Sequence, residues 1–525
     1  MRDRFRVLND DSFDAIVIGA GLGGLTAAAM LAHEGRKVLV LDQHYVAGGN
    51  ATIFRRRGYE FDVGVHYIGE CGKDGVLTRI LRAAEVGDIE FEELDPDGYD
   101  TLVFPDFTFR VPRGIDLFRD RLCAQFPAEQ RGIDRYIAFI RQLDVAMGMS
   151  SNPVSALLTL PRITSVLRWS GKTFGELLDS FTTDIRLKAV LAAQNGDYGL
   201  PPSRASALIG GGIALHYLKG AYYPKGGGQV IADRLAEAIE RRRGTILLRS
   251  HVERIIAHDG VVEGVEFCNR HLGRRTVRAP IVISNADLKR TMSELVGREN
   301  LSASTIDRVE KYEMAPGAAV LYLGMKRDLV AEGHSRTNYW VFSGYDYEAP
   351  YATIARGEFA DPVLFGFISI ASVKDPTNSR LAPSGISNVQ VMGMAPSTPE
   401  AWGVSPGEFR SGDYSRSETY AMKKRRFADA MLTIAERVFP DIRRQIVYQE
   451  VATPLTHTRF TGSTNGTSYG IAATPAQFMR HRPGAQTEIK GLYLCGASMR
   501  SGHGIVGVAA SGMTAASEIL GRKLI

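Results

Sequence analysis

The chain has 525 residues, 44% of them hydrophobic and 23% charged, a balance that suits a globular protein with two or more lobes around substantial cores. Its formal net charge of +5 is too mild for this length to indicate a nucleic-acid partner, but leaves a preference for anionic membrane surfaces open. Cys71, Cys123, Cys268 and Cys495 form no CxxC pair and the histidines show no HExxH spacing, so reduced thiols in a cytosolic protein and no metal site are expected. The first residues, MRDRFRVLNDDSFD, are charged, unlike a secretory signal.

Residues 14–32 read DAIVIGAGLGGLTAAAMLA and carry no charge from Ala15 to Ala32. That is about the length at which a membrane helix becomes a fair hypothesis. Gly19, Gly21, Gly23 and Gly24 would break such a helix at its middle, and they suit a tight turn instead. The spacing predicts a strand over Ala15 to Ile18, then a helix with Leu22, Leu25, Ala29 and Ala32 on one face. Gly35 ends that helix, and a second strand closes at Asp42. In this βαβ unit Gly19 permits the turn, Gly21 admits a pyrophosphate and Gly24 allows close helix packing, with Asp42 placed to meet ribose hydroxyls.

AGGNATIFRRRGYEFDVGVHYIGE follows as a loop and a short strand, and TLVFPDFTFRVP as a β-hairpin. Residues 115 to about 220 are helical in pattern. Within them, PVSALLTLPRITSVLRWSGKTFGELL sets Leu157, Leu158, Leu160, Ile163, Leu167 and Trp169 beside Arg162, Arg168 and Lys172. Helices lying in a membrane interface over 153–178 and ordinary core helices both fit this pattern, and Pro161 excludes one long straight helix.

A further dinucleotide-domain segment begins at Tyr222, with a Gly-rich turn, a helix burying Val230, Leu235, Ala238 and Ile239, and strands joined at Asp259-Gly260. RAPIVISNAD reads as a strand ending at Asp287. From about 300 to 460, alternating segments such as AAVLYLGMKR and NVQVMGMA predict an antiparallel sheet with one helix, Tyr420 to Val438. GLYLCGASMRSGHGIVGVAASGMTAASEIL closes as strand, Gly-rich turn and helix. The expected organisation is an α/β Rossmann domain built from 1–75, 222–300 and 485–525, interleaved with a substrate domain of antiparallel sheet and helices from 76–221 and 301–484.

GAGLGG, AGGNA at 47–51, FDVGVHYIG, HYLKGAYYPKGGGQVIA, VISNAD, ATPLTHTRFTGSTNGTSYG and the closing GLYLCGASMRSGHGIVGVAASG occur in one order over nearly the whole chain. Together they resemble the phytoene desaturase, carotenoid isomerase and retinol saturase flavoproteins, with several stretches similar to the retinol saturase form. The resemblance implies a glutathione-reductase-like FAD domain and a long polyene or isoprenoid ligand. It places Gly48, Gly49 and Asn50 at the FAD diphosphate, the Val252 backbone on the adenine side, Asn285 beside the cofactor, and Gly496 and Ala497 along the ribityl chain. The helix starting near Gly504, Ile505 and Val506 would face the pyrimidine edge, where its N–H groups favour the negative charge of reduced flavin. Two departures are Asp42, where most relatives carry Glu, and Asn50, where carotenoid desaturases usually carry Arg.

Saturating a double bond requires hydride from flavin N5 and a proton from an acid. His66 and Tyr67 are the first candidates for that acid, and Tyr222, Tyr223 and Lys225 the second set; His503 could hold the flavin turn or act as an acid. The resemblance implies a saturase drawing electrons from NADH or NADPH. Apart from the flavin-facing GHGIVG, the chain shows no second independent GxGxxG for such a donor. A desaturase and an isomerase are the rival enzymes. A lipid-binding escort protein of the same fold would need neither AGGNA nor GHGIVG.

Overall fold

The computed structural model describes residues 8–148 and 160–525. AIVI at Ala15–Ile18 and VLVLD at Val38–Asp42 are apolar on both faces, as a parallel strand covered on both sides requires. They pair in parallel, Ile16 opposite Leu39, at the centre of a five-stranded parallel sheet. Its other strands come from far along the chain: Thr245–Leu248 on one side, Val282–Ser284 and then Leu492–Leu494 on the other. The helix Leu22–His33 packs between this sheet and the closing helix Gly504–Leu520. The two helices approach so closely that a β-carbon on Gly512 would overlap the Gly23 carbonyl. A three-stranded antiparallel sheet, Ser250–His258, Val261–Asn269 and Gly273–Arg278, completes this lobe.

The second lobe is built on a seven-stranded sheet in the order Ile446–Ala452, Ala318–Met325, Ser387–Met394, Phe365–Ile370, Asn338–Phe342, Asp100–Val103, Thr108–Val111. Neighbours are antiparallel except Asn338–Phe342 and Asp100–Val103, which run parallel. The hairpin at 100–111 is thus the outer edge of the large sheet. The helix on its face spans Glu418–Ala435. It starts two residues before the expected Tyr420 because Ser417 accepts a hydrogen bond from the Tyr420 amide, and it stops short of Val438 as Pro440 approaches. The strand expected to reach Asp287 ends at Ser284, and Asp287 instead caps the next helical turn through the Arg290 amide.

Helices Ile115–Gln125, Gln130–Met147 and Ala207–Leu218 bury Phe118, Phe139 and Leu215 in one core with Trp340 and Phe367 of the large sheet. In the segment expected over 153–178, Leu157 and Leu158 lie outside the described residues. Beyond them Ile163, Val166 and Trp169 are core, whereas Leu160 and Leu167 are 40% and 52% exposed beside exposed Arg162 and Arg168. Among the described residues no helix is long and apolar enough to cross a membrane.

Candidate active site

A cavity of about 1040 Å³ runs between the lobes, bordered at one end by the glycine turn and at the other by aromatic side chains. Gly19 has φ +96°, and a β-carbon on Gly24 would overlap the Gly19 carbonyl, so the turn folds only with glycine at these two positions. Gly48 donates to the Ala20 carbonyl at 2.7 Å, which docks the AGGNA loop against the first turn. Gly19, Gly21, Gly48, Gly49 and Asn50 all border the cavity, whereas Gly24 is turned into the helix packing.

Asp42 accepts from the Ala20 and His44 amides, both at 2.7 Å, so one lone pair of each carboxylate oxygen is already used. Burial raises its pKa, and those two amides oppose the rise. Val252 lines the cavity next to Ser250 in the strand that faces Asp42. Asn285 donates to the Gly19 carbonyl at 3.3 Å and receives a Cys495 thiol contact at 3.5 Å. It therefore braces the glycine turn against the last strand as well as bordering the cavity. Asn50 meets His457 Nε2 at 2.7 Å through its Oδ1, and burial pushes His457 down to about 4.

Gly496, Ala497, Gly504, Ile505 and Val506 form the opposite wall. The closing helix has His503 at its N-cap and no side-chain cap, so its first-turn N–H groups carry the positive end of a 17-residue helix dipole at the cavity. A β-carbon on Gly502 or Gly504 would meet nothing within 4 Å.

The far end is aromatic. Tyr67 stacks on Tyr217 with ring centroids 4.0 Å apart, and Trp340 lies 4.6 Å from Phe367; all four border the cavity. His66 also borders it, is 8% exposed, and has no protein partner for either ring nitrogen. Burial, with Lys374 nearby, pushes its pKa down to about 3, so the ring is neutral near pH 7. Tyr67 donates to Asp197 Oδ2 at 2.8 Å and lies 3.4 Å from Asp100 Oδ2. Asp100 also receives Gln194 at 2.9 Å and Asn338 at 3.0 Å.

Lys374, fully buried, donates to the His66 carbonyl at 2.6 Å, to Ser369 at 2.8 Å and to Asn338. Burial lowers its pKa to about 7. This ammonium ties the loop carrying His66 and Tyr67 to the large sheet. Lys374→Met should cost roughly 3 to 5 kcal/mol of stability in urea unfolding, because three buried acceptors lose their donor. A loss under about 1 kcal/mol would contradict this role.

None of the three second-set candidates lines the cavity. Tyr223 is fully buried outside the cavity lining and donates to Asp62, which also accepts the Gly228 amide at 2.8 Å. Lys225 sits at the surface, 3.0 Å from Glu90 and 2.9 Å from Glu92. Tyr222 is half-buried and also outside the lining. All three lie in or just beyond the strand Ala221–Pro224, where alternation sets Tyr222 and Tyr223 on opposite faces. His503 reaches the Asp197 carbonyl at 3.1 Å, tying the closing helix to the aromatic end. Asp197, Asp100, Lys374 and His457 were not singled out by spacing, since each comes from a different stretch of chain. His457 does lie within the quoted motif ATPLTHTRFTG.

The residues present fit a flavin dinucleotide. The glycine turns leave room for a close backbone approach, the uncapped helix end faces the cavity, and His66 is a buried polar group left unpartnered on its wall. Among the described residues no group of three or more His, Cys, Asp or Glu is arranged to hold a metal ion.

A family model described as an NAD(P)-binding Rossmann-like domain matches residues 17–84. The chain is 29% identical to the all-trans-retinol 13,14-reductase of Danio rerio, over 98% of this chain and 87% of that protein. It is 27% identical to the chloroplastic prolycopene isomerase 1 of an Oncidium hybrid cultivar, over 98% and 85%. The crystal structure of an oxidoreductase from Methanosarcina mazei superposes with a TM-score of 0.62 at 18% identity, covering 97% of this chain and all of that one. The chain is thus similar from end to end to proteins named as a retinol reductase and a prolycopene isomerase, and it shares the fold of a solved oxidoreductase.

Proposed function

We propose that the protein is an FAD-dependent oxidoreductase that reduces a carbon-carbon double bond of a hydrophobic polyene or isoprenoid, with NADH or NADPH as electron donor. The observation that carries this reading is the single cavity joining a dinucleotide-type glycine turn to a slot of stacked aromatic rings. On this reading Gly19, Gly21, Gly48 and Gly49 meet the diphosphate, Asp42 a ribose, and Val252 the adenine side. Gly496, Ala497 and the 504–506 amides meet the flavin. When bound, the flavin supplies hydride chemistry at N5.

The chain's own residues bind and orient the polyene. Tyr67, Tyr217, Trp340 and Phe367 give it flat apolar walls and exclude water. The discontinuous division into 1–75, 222–300 and 485–525 against 76–221 and 301–484 follows the two main sheets. A cytoplasmic protein resting on a membrane surface suits Leu160 and Leu167 beside Arg162 and Arg168, giving a lipid ligand a short path.

His66 is proposed to contact the bound ligands. An apolar His66→Leu replacement removes two unpartnered nitrogens, so stability should change by less than about 1 kcal/mol while turnover falls at least about tenfold. Unchanged turnover removes His66 from the site.

The similarity to a prolycopene isomerase favours a second reading, cis-trans isomerisation with no net redox change. Mass spectrometry after anaerobic incubation with all-trans-retinol and NADPH separates the two. A product two hydrogens heavier supports the reductase, and an isomer of unchanged mass supports the isomerase.

A further inference from the structure

We propose that Asp197 is the proton-donating acid of the cavity, positioned by the Tyr67 hydroxyl between the closing helix and the aromatic slot; this rests on the reading of the chain as a double-bond reductase. Asp197 ends the turn Ala193–Asp197 and borders the cavity. Its backbone is fixed twice: the Asp197 carbonyl meets His503 Nε2 at 3.1 Å, and the Gly196 carbonyl accepts from Tyr469 at 2.8 Å. Tyr67 then holds Oδ2 at 2.8 Å. A carboxyl so held lies between the helix end that suits a flavin and the rings that suit a polyene.

The other acids along the cavity are committed. Asp42 and Asp287 are occupied by backbone amides, Glu70 pairs with His216 and Lys219, and Glu450 accepts from the Tyr448 hydroxyl with Arg56 at 4.0 Å. His66 borders the same space but carries no extra proton near pH 7, and Lys374 is enclosed behind it. The groups facing Asp197 are Tyr67, Tyr99, Tyr198, Tyr217, Tyr351 and Tyr469, the Asp100 carboxyl and the His503 ring. None of them supplies a fixed positive charge. Burial accordingly pushes its pKa up to about 8, against the Tyr67 hydrogen bond and helped by Asp100, so the acid form prevails near neutrality.

The chemistry balances without a further group. The π bond opens as one alkene carbon gains a hydride from the reduced flavin, a two-electron donor recharged by a pyridine nucleotide. Its neighbour gains the Asp197 proton. The carboxylate left behind recovers a proton from water reaching the cavity after product leaves.

The test uses the purified holoprotein and Asp197→Asn. At pH 7 the wild-type infrared spectrum should contain a protonated-carboxyl carbonyl band that Asp197→Asn lacks; a band unchanged in the variant overturns the assignment. Both proteins are next reduced with dithionite and mixed anaerobically with all-trans-retinol. Flavin reduction should be equal in both, and reoxidation at least about a hundredfold slower in the variant, with Asp197→Glu recovering part of it. Equal reoxidation removes Asp197 from the proton transfer. If wild-type protein is not reoxidised by all-trans-retinol, the polyene reading fails for that probe, while the infrared band still decides whether Asp197 carries the proton.

Discussion

Gly21→Val is expected to purify without flavin colour. A β-carbon at position 21 would lie 2.7 Å from Asn285 Nδ2 and 3.9 Å from Gly49, and the branched side chain would then fill the space a diphosphate needs. Asn285 cannot retreat without releasing its bond to Gly19 and its contact with Cys495, so the clash falls on the cofactor site. Flavin affinity should fall at least about a hundredfold, or roughly 2.7 kcal/mol. The matched control is Gly212→Ala: Gly212 borders the same cavity, and a β-carbon there meets nothing within 4 Å. Flavin content by absorbance, with far-ultraviolet circular dichroism to verify folding, checks both variants. A yellow Gly21→Val protein would remove the glycine turn from cofactor binding.

The second large effect concerns pH. Asp197 has a folded pKa of about 8, above the ~4 of an unfolded aspartate, so the native state binds the proton more tightly. That stabilisation is fully present below pH ~4 and is lost as pH rises toward 8. Asp62 and Asp100, each pushed by burial to about 6, act with the same sign and remain in both proteins, so the difference between wild type and Asp197→Asn reports position 197 together with its repulsion of Asp100. Asp197→Asn should therefore melt at a higher temperature than wild type at pH 9 and at a similar temperature at pH 4. Wild-type turnover should fall above pH 8 in parallel. A variant less stable than wild type at pH 9 would show that the carboxylate is the favoured native form.

The dinucleotide end was legible in the sequence because its signals are local. Four glycines, a buried strand on each side and a terminal acid all fall within about thirty residues, and the helix dipole needs only GHGIVG followed by an apolar run. The aromatic end, with its buried carboxyls, was not. Tyr67 was singled out, but its partners Asp197 and Asp100 lie 130 and 33 residues away, and Lys374 comes from 308 residues beyond His66. No spacing rule links them, since the sheets that bring them together are assembled from distant strands.

Register decided the nearer misses. Tyr223 and Lys225 lie in the legible motif HYLKGAYYPKGGG, yet Tyr223 turns into the interior to Asp62, whereas Lys225, one residue past the strand, pairs with Glu90 and Glu92 at the surface. In the helix Gln229–Arg241, Leu235, Ala238 and Ile239 are buried as the periodicity predicts, and Ile231 rather than Val230 completes that face. The parallel pairing of Asn338–Phe342 with Asp100–Val103 was likewise hidden, because the pattern of alternation is the same in parallel and antiparallel edges.

The most direct measurement of the central claim is the anaerobic visible spectrum of the purified protein through one redox cycle. The account predicts that bound flavin bleaches on adding NADPH or NADH, and that its bands return when all-trans-retinol follows in the absence of oxygen. Flavin that stays oxidised with both nucleotides, or that bleaches and is never restored by the polyene, would contradict it.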